Sequence, residues 1–171
     1  LLMIFLPKDR VNLLRWWAFI ASLVPFALTL LLWGRFVPTQ SGFQFTEQAA
    51  WYGVLNASYH VGVDGISLTM VLLTTLLMPL AILTSFNIKE RVKPYMILFL
   101  LLETGMLGVF MALDLLLFFV FWEIGLVPMY FLIAQWGGAN RNYASLKFML
   151  YTIGGSLGLL LAIQLIGVVI G

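Results

Sequence analysis

The chain alternates long uncharged apolar stretches with short polar segments that carry nearly all of its charge. A helix needs roughly 20 apolar residues to cross the hydrocarbon core of a bilayer, and five stretches reach that length. The strict alternation of a transmembrane barrel is absent, and an open sheet edge cannot face lipid. The pattern predicts an all-α fold, a polytopic transmembrane helix bundle with full helices over 16–34, 65–88, 94–113, 115–134 and 148–171.

A sixth, partial helix is predicted at the N-terminus. Residues 1–7 form an apolar stub before Lys8, which we interpret as the inner end of a truncated helix. The chain ends as abruptly, inside an apolar run. We therefore expect 1–171 to be a single transmembrane domain, the N-terminal part of a longer subunit.

Composition narrows the class of protein. Hydrophobic residues make up 63% of the chain and charged residues 9%, against about 45–50% and about 25% in soluble domains. That balance excludes a soluble enzyme domain, a nucleic-acid-binding module and a disordered tail. With no cysteine and one histidine, the chain cannot form a disulfide, an iron–sulfur cluster or a bis-histidine haem site. We predict no metal, no cofactor and no redox centre in this chain.

Lysine and arginine predict the orientation of the helices in the membrane. Segments 8–15, 89–93 and 141–147 are basic, whereas segment 36–64 and the turn at Asp114 carry no lysine or arginine. Eight of the nine positive charges thus fall on one side, which the positive-inside rule assigns to the cytoplasm. Segment 36–64 becomes an extracytoplasmic loop, either an amphipathic interfacial segment or a hairpin. Asp64 is expected to cap the following helix and Asp114 to tighten its turn.

Two acidic residues interrupt the apolar stretches. At ~1.5 Å per residue, Glu103 lies ~15 Å and Glu123 ~12 Å from the turn at Asp114, so both are near mid-bilayer. A charge there costs at least roughly 2.5–3.5 kcal/mol, and glutamate is too short to reach the interface. Each carboxyl must be protonated or must meet a partner or water. This pattern indicates a proton-relay or coupling site; the alternative is a neutral glutamate that only fixes helix packing.

The surroundings of Glu123 favour the functional interpretation. Pro128 removes the backbone hydrogen bond to the carbonyl of Ile124, which therefore needs another partner. Trp122 and Tyr130 supply polar groups nearby, and Tyr130 lies two turns along the same face. The alternative for Pro128 is an ordinary kink in a membrane helix.

Lys147 opens the last predicted helix. It is either an interfacial anchor, with its ammonium group in the headgroup region, or an inward-facing relay residue and counter-ion to a carboxylate. The residues alone favour the anchor. Further along the same helix, the Gly154-x-x-x-Gly158 motif would allow close contact with another helix.

Longer motifs carry a family resemblance. The run Asp114-Leu-Leu-Leu-Phe-Phe-Val-Phe-Trp-Glu-Ile-Gly-Leu-Val-Pro-Met-Tyr strongly resembles subunit M of the proton-pumping NADH-quinone oxidoreductase, the bacterial complex I, whose mitochondrial counterpart is chain 4. The similarity continues through Arg141-Asn-Tyr-Ala-Ser-Leu-Lys-Phe-Met-Leu-Tyr-Thr, and Gly62-Val-Asp-Gly-Ile-Ser-Leu and Glu103-Thr-Gly-Met-Leu-Gly-Val-Phe also fit. It covers nearly the whole chain after Val11.

The resemblance implies an antiporter-like membrane-arm subunit in a bacterial plasma membrane, with the lipid bilayer and other membrane-arm subunits as partners and no nucleic acid. NAD(H), FMN, iron–sulfur clusters and quinone would belong to the rest of the assembled complex, whose electron transfer drives protons through this subunit. Glu123 matches a family glutamate that pairs with a lysine on a later, broken helix. Lys147 matches the start of the family's sixth helix, and Glu103 is a secondary relay residue.

The sequence stops at that sixth helix, so the broken helix, its lysine and the second inverted half are missing. We expect the isolated chain to be non-catalytic. Two alternatives remain. The first is an antiporter-like component of a multi-subunit Na⁺/H⁺ antiporter or of a related hydrogenase membrane arm, and the second is a non-transporting membrane scaffold.

Overall fold

The computed structural model describes residues 2–52 and 57–170, and within them five helices are long and apolar enough to cross a membrane. The predicted helical bundle is confirmed. Two short 3₁₀ helices and a β-hairpin accompany these helices. In chain order the elements are the 3₁₀ helix Leu2–Phe5, α1 Val11–Arg35, β1 Gln44–Tyr52, β2 Ala57–Val63, α2 Gly65–Thr84, the 3₁₀ helix Ser85–Asn87, α3 Val92–Met111, α4 Leu115–Trp136 and α5 Arg141–Ile170.

The bounds of the helices differ from the prediction at their polar ends. The first and last helices start at Val11 and Arg141, several residues before the apolar stretches begin. Backbone hydrogen bonds favour continuing a helix into the headgroup region, where basic side chains are solvated, so charge does not end it. The N-terminal stub is a 3₁₀ turn over Leu2–Phe5 rather than an α-helical end.

Segment 36–64 contains an antiparallel β-hairpin, one of the two forms predicted for it, and this hairpin is the departure from an all-α fold. Gln48 pairs with His60, and the register shifts on either side of the central pairs. A two-stranded sheet is marginal by itself. This one is held by the α3–α4 turn, where the amide of Leu113 donates to the carbonyl of His60 at 2.8 Å.

Two aspartates begin helices, as predicted. Asp64 Oδ1 accepts from the amide of Ser67 at 2.7 Å, and the Ser67 hydroxyl accepts from the amide of Asp64 at 2.8 Å, forming a capping box. Asp114 Oδ1 accepts from the amides of Leu116 and Leu117. Its other oxygen accepts from the amide of Ser58 at 3.0 Å, so one side chain joins the start of α4 to the hairpin.

The opposite end of the bundle gathers the basic segments around an apolar cluster. This cluster joins the N-terminal turn, α1, the end of α2 and the start of α3. The Arg15 guanidinium donates to the carbonyl of Ile88 at 2.8 Å, and the Lys93 ammonium donates to the carbonyls of Ile4 and Leu6 at 2.6 and 2.7 Å. The cluster consists of Met3, Leu14, Ala18, Ile82, Val92, Tyr95 and Met96.

Candidate functional site

The two intramembrane acids lie on adjacent antiparallel helices. Glu103 is in α3 and is 3% exposed, and Glu123 is in α4 and is half-buried. Each lies eight residues from the end of its helix nearest the Asp114 turn, or about 12 Å along the axis. The structure therefore agrees with the common depth that the sequence predicts.

Small residues bring α3 and α4 together at this depth. A β-carbon added at Gly105 would lie 2.8 Å from the amide nitrogen of Gly125 and 3.3 Å from the carbonyl oxygen of Phe121. One added at Gly108 would overlap the ring of Phe121. Only glycine permits so close an approach. Each glutamate precedes the glycine of this crossing on its own helix by two residues, which is about 3 Å along the axis.

Each glutamate has one buried oxygen without a partner. Within residues 2–52 and 57–170, Glu103 Oε1 and Glu123 Oε1 are both buried and accept no hydrogen bond. A carboxylate is costly in such a place, so the group is stable as a neutral acid or when water, a cation or a donor reaches it. Two adjacent groups of this kind can take up and release protons inside a bundle.

Trp122 and Pro128 shape the helix that carries Glu123. The indole Nε1 of Trp122 donates to the hydroxyl of Ser156 at 3.1 Å, linking α4 to α5 instead of supplying a donor to Glu123. Pro128 is fully buried inside α4, which remains continuous to Trp136. Tyr130 is half-buried, and its ring packs edge-on against Phe131.

Lys147 lies apart from both acids. It is exposed in the second turn of α5, where its ammonium group lies 5.6 Å from the ring centre of Tyr143 and 5.9 Å from that of Tyr151. Both distances are typical of cation–π contacts. The unpaired oxygens of Glu103 and Glu123 receive no hydrogen bond from it in the described chain. Lys147 and its two tyrosines instead form an exposed stripe on one face of α5.

The described residues offer no obvious metal centre. Across 2–52 and 57–170, no group of three or more histidine, cysteine, aspartate or glutamate side chains is placed to hold a metal ion.

Comparison with known families decides the relationship. Residues 2–113 match the family described as NADH-ubiquinone oxidoreductase chain 4, amino terminus. Residues 112–171 match the family described as NADH:quinone oxidoreductase/Mrp antiporter, transmembrane. The chain belongs to the NADH-quinone oxidoreductase subunit M/chain 4 family. The resemblance inferred from the run around Glu123 is thus confirmed over nearly the whole length.

Individual relatives agree. Subunit M of NADH-quinone oxidoreductase from Rhodobacter capsulatus is 50% identical over 148 residues, which is 86% of this chain and 28% of that protein. NADH-ubiquinone oxidoreductase chain 4 from Arabidopsis thaliana is 43% identical over 168 residues, which is 97% of this chain and 34% of the relative. The chain thus spans about a third of the length of these relatives. With five spans, it is a multi-pass protein of the plasma membrane.

A solved structure has the same fold. The chain superposes on part of the Mrp complex from Dietzia sp. with a TM-score of 0.75 at 20% identity, covering 90% of this chain and 17% of the other. The predicted membership of a larger antiporter-like fold is confirmed.

Sequence reasoning missed the geometry that joins the acids. The crossing of Gly105 and Gly125 and the bond from Trp122 to Ser156 were not predicted. The spacing of Gly105 and Gly108, on the helix that also carries Glu103, was a usable signal for close helix contact.

Proposed function

We propose that this chain forms the proton-coupling part of a membrane-arm subunit of a proton-translocating NADH:quinone oxidoreductase in a bacterial plasma membrane. The observation that carries the proposal is the pair of buried, partnerless carboxyl oxygens of Glu103 and Glu123 beside the α3–α4 crossing of the described chain. Family membership supplies the reaction, because a relative named for NADH-quinone oxidoreduction shares 50% identity with the chain.

Glu123 is the main proton-coupling residue in this proposal. Its helix is connected to α5 through Trp122, and the buried Pro128 removes a backbone donor one turn beyond it. Glu103 has the deeper burial, so water reaches it less readily, and it acts as the secondary relay residue. Lys147 is a third, field-setting charge, because its stripe on α5 is exposed and open to a further helix.

Redox chemistry belongs to other subunits in this account. NAD(H), FMN, iron–sulfur clusters and quinone are bound elsewhere in the assembled complex, and this chain contributes no catalytic residue to electron transfer. Its partners are the lipid bilayer, neighbouring membrane-arm subunits and the protons that it translocates. The hairpin over 44–63 lies on the extracytoplasmic side, opposite the basic end of the bundle.

The test is a substitution in the assembled complex. Glu123→Gln keeps the shape of the side chain and removes its titration, so NADH-driven proton uptake by inside-out vesicles should fall at least several-fold. Glu90→Gln is the matched control, since Glu90 is an exposed acid in the short segment between α2 and α3, at the polar end of the bundle. NADH oxidation with a soluble electron acceptor reports assembly of the redox subunits. Unchanged proton uptake in Glu123→Gln would contradict the proposal.

A role in a multi-subunit Na⁺/H⁺ antiporter, as its antiporter-like component, is the second candidate, because residues 112–171 match a family shared with Mrp antiporters. Co-purification separates the two. Isolation of this protein with an NADH-oxidising assembly supports the first proposal, and isolation with antiporter components alone supports the second.

A further inference from the structure

The basic end of the bundle contains a cavity of about 400 Å³ between the start of α1 and the start of α3. Four basic side chains line it, from Lys8, Lys89, Arg91 and Lys93, and no acidic side chain of the described chain is among its lining residues. Such a volume is within the range of small-ligand pockets. The charge calls for an anion.

Two helix N-termini add to this positive potential. α1 begins at Val11 and α3 at Val92, and both residues line the cavity. Neither helix has a side-chain cap, since neither Arg10 nor Arg91 provides a capping acceptor, and neither has an acidic residue in its first turn. The first amides of a helix point outward at the positive end of its dipole and bind anions well.

Arg91 takes a backbone conformation that is unusual for its residue type. Its φ of 49° places it in the left-handed region, which costs roughly 1 kcal/mol or more for a residue other than glycine. This turn brings α3 in behind the arginine, so that the side chains of Lys89 and Arg91 and the start of α3 border one cavity. Lys93 is committed to the carbonyls of Ile4 and Leu6, which closes the wall formed by the N-terminal turn.

The remaining walls are apolar. Val11, Val92 and Pro94 belong to the first turns of helices that then enter the membrane. A soluble anion gains nothing from apolar walls beside a bilayer, whereas an amphiphile places its charged group among the cations and its chains along the helices. Basic pockets between transmembrane helices bind acidic lipid headgroups for this reason.

We propose that this cavity binds the phosphate headgroup of an anionic membrane phospholipid, held by Lys8, Lys89 and Arg91 and by the N-termini of α1 and α3. The site lies at the end of the bundle where the N-terminal turn, α1 and α3 meet, and it takes no part in the proton pathway through Glu123. Its lipid would join three elements whose own contacts include the Lys93 bonds.

The experiment uses the natural-length protein in its complex, with a photoactivatable phosphatidylglycerol incorporated in the membrane. Cross-links are mapped by mass spectrometry. The expected sites are segments 8–14 and 88–94, with competition by unlabelled phosphatidylglycerol and not by phosphatidylcholine. Lys8→Gln combined with Lys89→Gln should weaken this labelling about 30-fold, since each basic group near the surface contributes about fivefold to anionic lipid binding.

Arg10→Gln is the matched control. Arg10 is exposed and basic, stands two residues from Lys8 and does not line the cavity. Its labelling should equal that of the unsubstituted protein, and thermal unfolding of all variants should coincide. Equal loss in Arg10→Gln, equal competition by phosphatidylcholine, or no cross-link in the two segments would overturn the proposal. Competition by millimolar inorganic phosphate would assign the site to a soluble anion and overturn the lipid as its occupant.

Discussion

Gly105 of α3 lies directly against the backbone of Gly125 in α4, so close that a β-carbon at position 105 would lie 2.8 Å from the amide nitrogen of Gly125. The relationship is not symmetrical, because a β-carbon at Gly125 would have no atom within 4 Å in the described structure. One glycine therefore sets the separation of the two helices that carry Glu103 and Glu123, and the other only receives it.

Gly105→Ala is expected to destabilise the bundle by about 1–3 kcal/mol, because the new methyl group forces α3 away from the α4 backbone. Gly125→Ala adds the same methyl group into open space and should be neutral or slightly stabilising. Thermal unfolding of both variants in detergent, followed by circular dichroism, measures the difference. Equal loss in the two variants would show that the close approach at Gly105 is not what holds these helices together.

The Asp64 capping box should give a pH-dependent contribution to stability. The hydrogen bond from the Ser67 amide holds the pKa of Asp64 below its ordinary value of 3.8. A lowered folded-state pKa stabilises the fold above the unfolded pKa, and this contribution is lost as the pH falls through the folded value. Asp64→Asn keeps a capping oxygen but does not titrate. The difference in melting temperature between the two proteins should be constant near neutral pH and change below about pH 4; a difference that stays independent of pH in strong acid would refute it.

Asp114 should couple the start of α4 to the hairpin. Asp114→Ala removes the cap and the bond to the Ser58 amide, and is expected to cost about 1–2 kcal/mol. Asp114→Asn keeps one oxygen for the cap and places an amide NH₂, which cannot accept, toward Ser58. Hydrogen exchange of the β2 amides should therefore accelerate in both variants, while α4 loses stability only in Asp114→Ala. Unchanged exchange in β2 would mean that the hairpin does not depend on this side chain.

The Trp122–Ser156 bond is a specific link between α4 and α5, and a double-mutant cycle measures it. Trp122→Phe keeps an aromatic ring without the donor, and Ser156→Ala removes the acceptor. We expect a coupling free energy of about 0.5–1.5 kcal/mol, as for other hydrogen bonds between membrane helices. Additive effects of the two substitutions would show that the bond contributes no stability.

The helices and their order could be predicted from the sequence because hydrocarbon forces every backbone group in a span into a helix. The caps at Asp64 and Asp114 were equally local, since an aspartate directly before an apolar run has few other uses. The hairpin over 44–63 was left open, because its strands are polar and short and are held by contacts with residues 113 and 114, far away in sequence.

The depth of Glu103 and Glu123 could also be predicted, since it follows from counting residues along straight helices. The crossing that joins them could not, because helix rotation depends on which glycines meet. The Gly154-x-x-x-Gly158 motif illustrates the limit, since it was predicted to allow close helix contact and yet no atom of the described chain lies within 4 Å of a β-carbon at either position.

The central claim is that Glu123 acts by exchanging a proton and not by packing. NADH-driven proton uptake, divided by the rate of NADH oxidation, measures this directly for Glu123→Gln and Glu123→Asp in the assembled complex. Gln preserves size without titration, and Asp preserves titration in a shorter side chain. We expect the ratio to fall sharply in Glu123→Gln and to be largely kept in Glu123→Asp. A normal ratio in Glu123→Gln, with a loss only in Glu123→Asp, would contradict the claim and assign the residue to helix packing.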